Sequence, residues 1–141
     1  MIRSNIKFYL AMIILLIAAT LPFYNSPKNV DIQDIIGNWE GIYKNSTILL
    51  VINSDRTCTL KIDNIQSKSQ SLYNGICSLD NNKTPYSFSI NNISETSYAL
   101  YSLLLPVNKD GIKLTEFSTK WKLRQISFNE VNTITLKKII K

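Results

Sequence analysis

Ile35-Ile36-Gly37-Asn38-Trp39-Glu40-Gly41-Ile42-Tyr43 is the stretch on which the fold turns. It opens the region in which apolar and polar residues begin to alternate. Its two glycines allow the backbone to bend, or allow a second backbone to approach closely. Its tryptophan supplies a large apolar plate able to close one end of a core. Gly37, Trp39 and Gly41 are therefore the expected structural residues of the first strand.

Downstream of Trp39 the pattern is period two, with turn signals every eight to twelve residues. This is the signature of an all-β sandwich or barrel. Strands are expected near 37–44, 46–53, 57–63, 71–79, 85–91, 96–105, 111–118, 120–128 and 133–140, the first two as one bent strand or as a pair. No stretch beyond residue 36 carries a helical period over ten residues. A three-residue loop, Ser54-Asp55-Arg56, sets Ile48, Leu50 and Ile52 opposite Ile62, Leu60 and Cys58. Leu49 and Val51 then face outward, beneath a neighbouring segment or as a contact patch. Symmetric pairing around Ser67 and Lys68 sets Cys58 directly opposite Cys77, close enough for a disulfide in an oxidising compartment. Two inert buried thiols are the alternative.

Upstream, Arg3 and Lys7 precede an uncharged, strongly apolar run from Phe8 to Tyr24. A basic flank followed by an apolar core reads as a secretory signal peptide, or as a short membrane anchor if it is retained. Both place the domain outside the cytoplasm, either membrane-anchored on the extracytoplasmic side or secreted or periplasmic. The expected organisation is thus a signal peptide or anchor helix at 1–26, a linker at 27–34, and one antiparallel β domain at 35–141.

The chain has 141 residues, 13 lysines, three arginines and no histidine. Without histidine, no Ser-His-Asp or Cys-His pair and no imidazole metal site can form. The carboxylates are scattered, and no glycine-rich phosphate loop follows a strand. No catalytic residue, metal or cofactor is expected, and nucleic acid is an improbable partner for an exported domain. The net charge of +6 is uneven: residues 112–141 hold seven basic side chains against Glu116 and Glu130. A hairpin of 120–128 with 133–140 gathers Lys120, Lys122, Arg124, Lys137 and Lys138 into a candidate basic patch. That patch could meet anionic lipid or an acidic polysaccharide, or it could simply protect an edge strand. Phe117, Trp121 and Phe128 are candidate pocket or core aromatics.

Gly37-Asn38-Trp39 on a first strand, about eight antiparallel strands and a late arginine together resemble the lipocalin-like (calycin) β-barrels, here in a small bacterial, membrane-anchored or secreted form. The resemblance implies an up-and-down barrel whose tryptophan closes one end, with an arginine from a late strand packed across it. Arg124, the one arginine after Arg56, is the candidate. It also implies a non-catalytic binding or accessory module for a small apolar ligand or a protein partner. The alternative is a basic surface module acting through the C-terminal hairpin.

Overall fold

The computed structural model describes residues 29–140. The N-terminal hydrophobic segment read from the sequence lies outside them. Eight strands follow in order: β1 (Gly37–Tyr43), β2 (Ser46–Ile52), β3 (Thr57–Asn64), β4 (Gln70–Asp80), β5 (Tyr86–Asn91), β6 (Leu100–Asn108), β7 (Gly111–Thr115) and β8 (Thr133–Lys138). Each pairs antiparallel with the next, and β8 returns to β1, so the sheet closes into a barrel. The two helical elements among the described residues are short 3-10 turns, Ile32–Ile35 and Trp121–Leu123.

The interior follows the strand period. Trp39, Leu50, Leu60, Phe88, Leu104, Leu114 and Leu136 are almost fully removed from solvent. They fill the lumen with side chains, as eight strands allow. The register of β2 on β3 is as the loop length requires: Ile48 faces Ile62, Leu50 faces Leu60 and Ile52 faces Cys58. Arg56 takes a left-handed conformation (φ 69°), which permits the three-residue turn. Leu49 and Val51 do face outward and are half-buried, with Leu49 flanked by Glu40 and Lys61.

One end of the barrel is closed. Residues 31–35, all but the last within what the sequence suggests is a linker, form a plug. Asp31 accepts from the Ile32 amide at 2.6 Å, and Asp34 reaches back to the Asp31 amide at 2.9 Å. This capping box starts the turn that buries Ile32 and Ile35. The Trp39 indole Nε1 donates to the Ile35 carbonyl at 2.8 Å. At the seam between β1 and β8, a Cβ built on Gly41 would lie 2.2 Å from the Thr135 carbonyl oxygen. Gly41 thus meets the requirement for a close backbone approach, and Gly37, at φ +140°, meets the requirement for a special conformation.

Three expectations are corrected. No strand forms at 120–128. The closed barrel is completed by β1 and β8, leaving no edge for a ninth strand, and residues 116–132 become the β7–β8 connection. Asn132 organises it, donating to the Ser127 carbonyl and the Gln125 side chain at 3.1 Å each and accepting from the Asn129 amide at 2.9 Å.

The β3–β4 register is also displaced by two. Cys58 pairs with Gly75 and Leu60 with Tyr73. The Asn64 side chain accepts from the Gln66 and Ser67 amides at 3.0 and 2.8 Å, tightening the turn. A slip of two residues leaves every side chain on its own face, so the alternation could not reveal it.

The Cys58–Cys77 disulfide is therefore not formed. Both cysteines are free and buried, placed diagonally rather than directly opposite. Diagonal neighbours lie ~7–8 Å apart, beyond unstrained bridging distance. They remain close enough to interact: a hydrogen bond with the Cys58 thiol, together with burial, pushes the Cys77 thiol well up.

Candidate functional site

The end of the barrel opposite the Trp39 plug is open. It is framed by the β1–β2 turn, the β3–β4 and β5–β6 loops, and the β7–β8 connection. A cleft of about 580 Å³ lies in this mouth, on a floor of Ile48, Ile62, Phe117 and Ile134 and with a rim of Tyr43, Lys44, Asn64 and Glu116. That volume is in the range of small-molecule sites. The floor is apolar because these side chains are the last inward positions of β2, β3 and β8, and Phe117 follows β7. Phe117 meets Phe88 edge-on, with centroids 6.5 Å apart at 63°, so the floor of the mouth is the roof of the packed core.

The rim is a polar cluster. Lys44 sits at φ 52° in the tight β1–β2 turn and forms a short ion pair with Glu116. The Tyr43 hydroxyl lies 2.6 Å from the same carboxylate and also reaches the Val131 carbonyl. One hydroxyl proton thus faces two acceptors, fastening β1 to the β7–β8 connection where the β1–β8 ladder has ended. The electrostatics agree. The hydrogen bond from Lys44, then that from Tyr43, holds the Glu116 carboxyl below its usual range. The Glu116 hydrogen bond raises Lys44, and burial followed by the Glu116 hydrogen bond raises Tyr43. Each group is held more firmly in its ordinary charge state at neutral pH, which suits positioning and polar recognition.

A tyrosine pair also borders the mouth. Tyr73 is half-buried against the core, and Tyr98 stands on the β5–β6 loop. The negative charge that Tyr73 would carry, then partial burial, raises the Tyr98 hydroxyl. The β5–β6 loop is pinned by Glu95, which accepts from the Asn74 amide and side chain at 3.0 and 2.6 Å.

Of the aromatics expected to line a pocket, only Phe117 reaches this cleft. Trp121 is exposed in the connection, and Phe128 borders an outer groove with Lys113 and Thr135. Arg124 does not cover Trp39. Its guanidinium lies 3.4 Å from the Trp121 ring centroid, and its Nη1 donates to the Trp121 carbonyl. The cation over Trp39 is Lys138, with Nζ 5.4 Å from the ring centroid. Arg124 follows its own 3-10 turn, whereas β8 carries Lys138 directly opposite Trp39.

The basic hairpin does not form either, and its members are divided. Lys120, Lys122 and Arg124 belong to the mouth. Lys137 pairs across to Glu40, and Lys138 lies by the closed end. The six residues of strand from Thr133 to Lys138 span ~17 Å.

The sequence reading missed Tyr43, Lys44 and Glu116. Tyr43 had a signal, since it shares parity with Gly37, Trp39 and Gly41. Glu116 had none, because its position depends on β7 ending at Thr115. There the Thr115 hydroxyl accepts from the Leu103 amide at 2.9 Å, and the ladder resumes one residue out of step at Tyr101 and Ser118. No protein-family model, curated protein or solved structure matches the chain.

Proposed function

We propose that the protein is an exported, membrane-tethered, non-catalytic binding module of lipocalin-like design, which holds a small amphipathic ligand in its mouth. The observation carrying this reading is the cleft floored by Ile48, Ile62, Phe117 and Ile134 and rimmed by Tyr43, Lys44 and Glu116. Apolar walls with a few placed polar groups are the usual composition of a small-molecule site. The lumen beneath is filled by Phe88, Leu60 and Leu104, so the ligand rests on the core and does not enter it. Its apolar part lies on the floor and its polar end meets the Tyr43 hydroxyl, the Lys44 ammonium or the Asn64 amide. Tethering rests on the apolar run at 8–24. Residues 30–35 sit at the closed end, so a tether would hold that end and leave the mouth facing away.

The test is displacement of a fluorescent fatty acid from the full chain by its unlabelled counterpart. Saturable, displaceable binding is expected, weakened at least about tenfold by Ile62→Arg, which puts a charge on the apolar floor. Circular dichroism checks that the variant folds. Absence of displaceable binding to the wild type would falsify the reading.

A further inference from the structure

Most of the large apolar side chains that the described residues leave in solvent lie around the mouth; Ile76, Val107, Ile139 and Ile140 lie elsewhere. In the β7–β8 connection Trp121, Leu123 and Ile126 are 46%, 69% and 82% exposed, and the adjacent loops add Ile65 at 61% and Tyr98 at 41%. Trp121 is held in place. It is clamped between Arg124 at 3.4 Å and the edge of Tyr101 at 5.5 Å, and Ser118 pairs with Tyr101 through two 2.8 Å backbone bonds. A connection this well fastened could have turned the same residues inward.

Charge at this end has one sign to spare. From Phe117 to Asn129 there is no acidic residue, while Lys120, Lys122 and Arg124 alternate with Trp121 and Leu123. Of the nearby carboxylates, Asp63 is engaged with Lys61 at 2.9 Å, Glu116 with Lys44 and Glu95 with Asn74, while exposed Glu130 lies beside Phe128, outside the Lys120–Arg124 run. Lys120 and Lys122 are exposed.

We propose that the β7–β8 connection is a lipid-contact element, which inserts Trp121, Leu123 and Ile126 into the interface of an anionic bilayer while Lys120 and Lys122 meet its headgroups. Tryptophan at the headgroup level, aliphatic tips below it and lysines around it match the layering of a bilayer surface. Loop tips separated by the mouth opening present no continuous face for a protein partner, which needs ~800 Å² on each side. A fluid lipid surface accommodates separate tips. The proposal stands whether or not the mouth holds a ligand. Because residues 30–35 occupy the opposite end, this contact is distinct from any made by the N-terminal segment.

The test uses the full chain with phosphatidylcholine vesicles carrying brominated acyl chains, with and without phosphatidylglycerol. The N-terminal apolar run could bind vesicles by itself, so the readout is quenching of Trp121 rather than the amount of protein bound. The chain has two tryptophans, and Trp39 is buried, so Trp121→Phe supplies the background. Quenching is expected on anionic vesicles, lost in Trp121→Phe. In the exposed-site double variant Lys120→Glu/Lys122→Glu, the lipid concentration for half-quenching should rise at least about tenfold. Three results overturn the proposal: no quenching on either vesicle, as for a surface reserved for a protein; equal quenching on neutral and anionic vesicles; or quenching that persists in Trp121→Phe.

Discussion

The indole Nε1 of Trp39 donates a 2.8 Å hydrogen bond to the carbonyl of Ile35, four residues upstream. This bond joins the plug to the first strand. It satisfies the polar atom of the largest side chain in the core, and it places Ile32 and Ile35 across the lumen.

Trp39→Ala is expected to destabilise the barrel by ~3–5 kcal/mol, the usual loss for a large buried aromatic. Trp39→Phe keeps much of the apolar volume but leaves the Ile35 carbonyl without its donor, at a cost of ~1–3 kcal/mol from that atom. Urea denaturation of both variants measures this. A Trp39→Phe variant as stable as the wild type would show that the hydrogen bond contributes nothing separable.

Cations over the two tryptophans should respond differently. Arg124→Ala removes the guanidinium from exposed Trp121 and should change stability by at most ~1 kcal/mol, as for an exposed cation–π pair. It should nevertheless alter the Trp121 emission. Lys138→Ala removes the cation near Trp39, together with stem atoms that pack beside Gly37, where a Cβ would lie 2.6 Å from Lys138 Cε. It should therefore cost more than Arg124→Ala. Thermal denaturation that reversed this order would restore Arg124 as the partner of the core.

Gly41→Ala should lower stability by ~1–3 kcal/mol or more, because its Cβ would meet the Thr135 backbone at 2.2 Å and force apart the β1–β8 closure. Gly111→Ala meets only the Asn108 side chain at 3.2 Å, which can move, and should stay within ~1 kcal/mol. Chemical denaturation of the pair isolates close approach from the general loss of a glycine.

Glu95 supplies a pH dependence with a definite sign. The Asn74 amide and side chain hold its carboxyl down to about 2, against the usual 4.5. A folded value below the unfolded one means that its contribution is fully present above about 4.5 and is lost as pH falls through about 2. The difference in urea midpoint between wild type and Glu95→Gln should therefore be constant from neutral pH to about 5 and shrink below it. A difference that grew on acidification would rule out this assignment.

Both cysteines should be unreactive towards a thiol reagent in the native state, and two thiols should titrate after unfolding under non-reducing conditions. Cys58 and Cys77 are 2% and 1% exposed and unbridged, and the shift on Cys77 opposes the thiolate that would react. Finding fewer than two thiols in the unfolded chain would reinstate the bridge.

What the amino-acid order determined by itself is local. Alternation assigned the inward face of β3 and, through the turn, that of β2, because side chains of a strand must alternate whatever it pairs with. The loop Ser54-Asp55-Arg56 set the β2–β3 register, since a three-residue turn leaves few pairings open. Trp39 beside Gly37 and Gly41 marked the closed end. The tertiary structure decided the rest. Closure of β8 onto β1 left residues 120–128 no edge to pair with, so Lys120-Trp121-Lys122-Leu123-Arg124, strand-like in alternation, became a connection with its apolar side chains outward. The Asn64 turn, rather than symmetry, chose between two β3–β4 registers that differ by a full period and look identical in burial. Closure also brought Lys138 instead of Arg124 to Trp39, and Glu116 to Tyr43 and Lys44. These pairs are separated by 72 to 99 residues in the chain, and no local preference can specify a contact that exists only once the sheet has closed on itself.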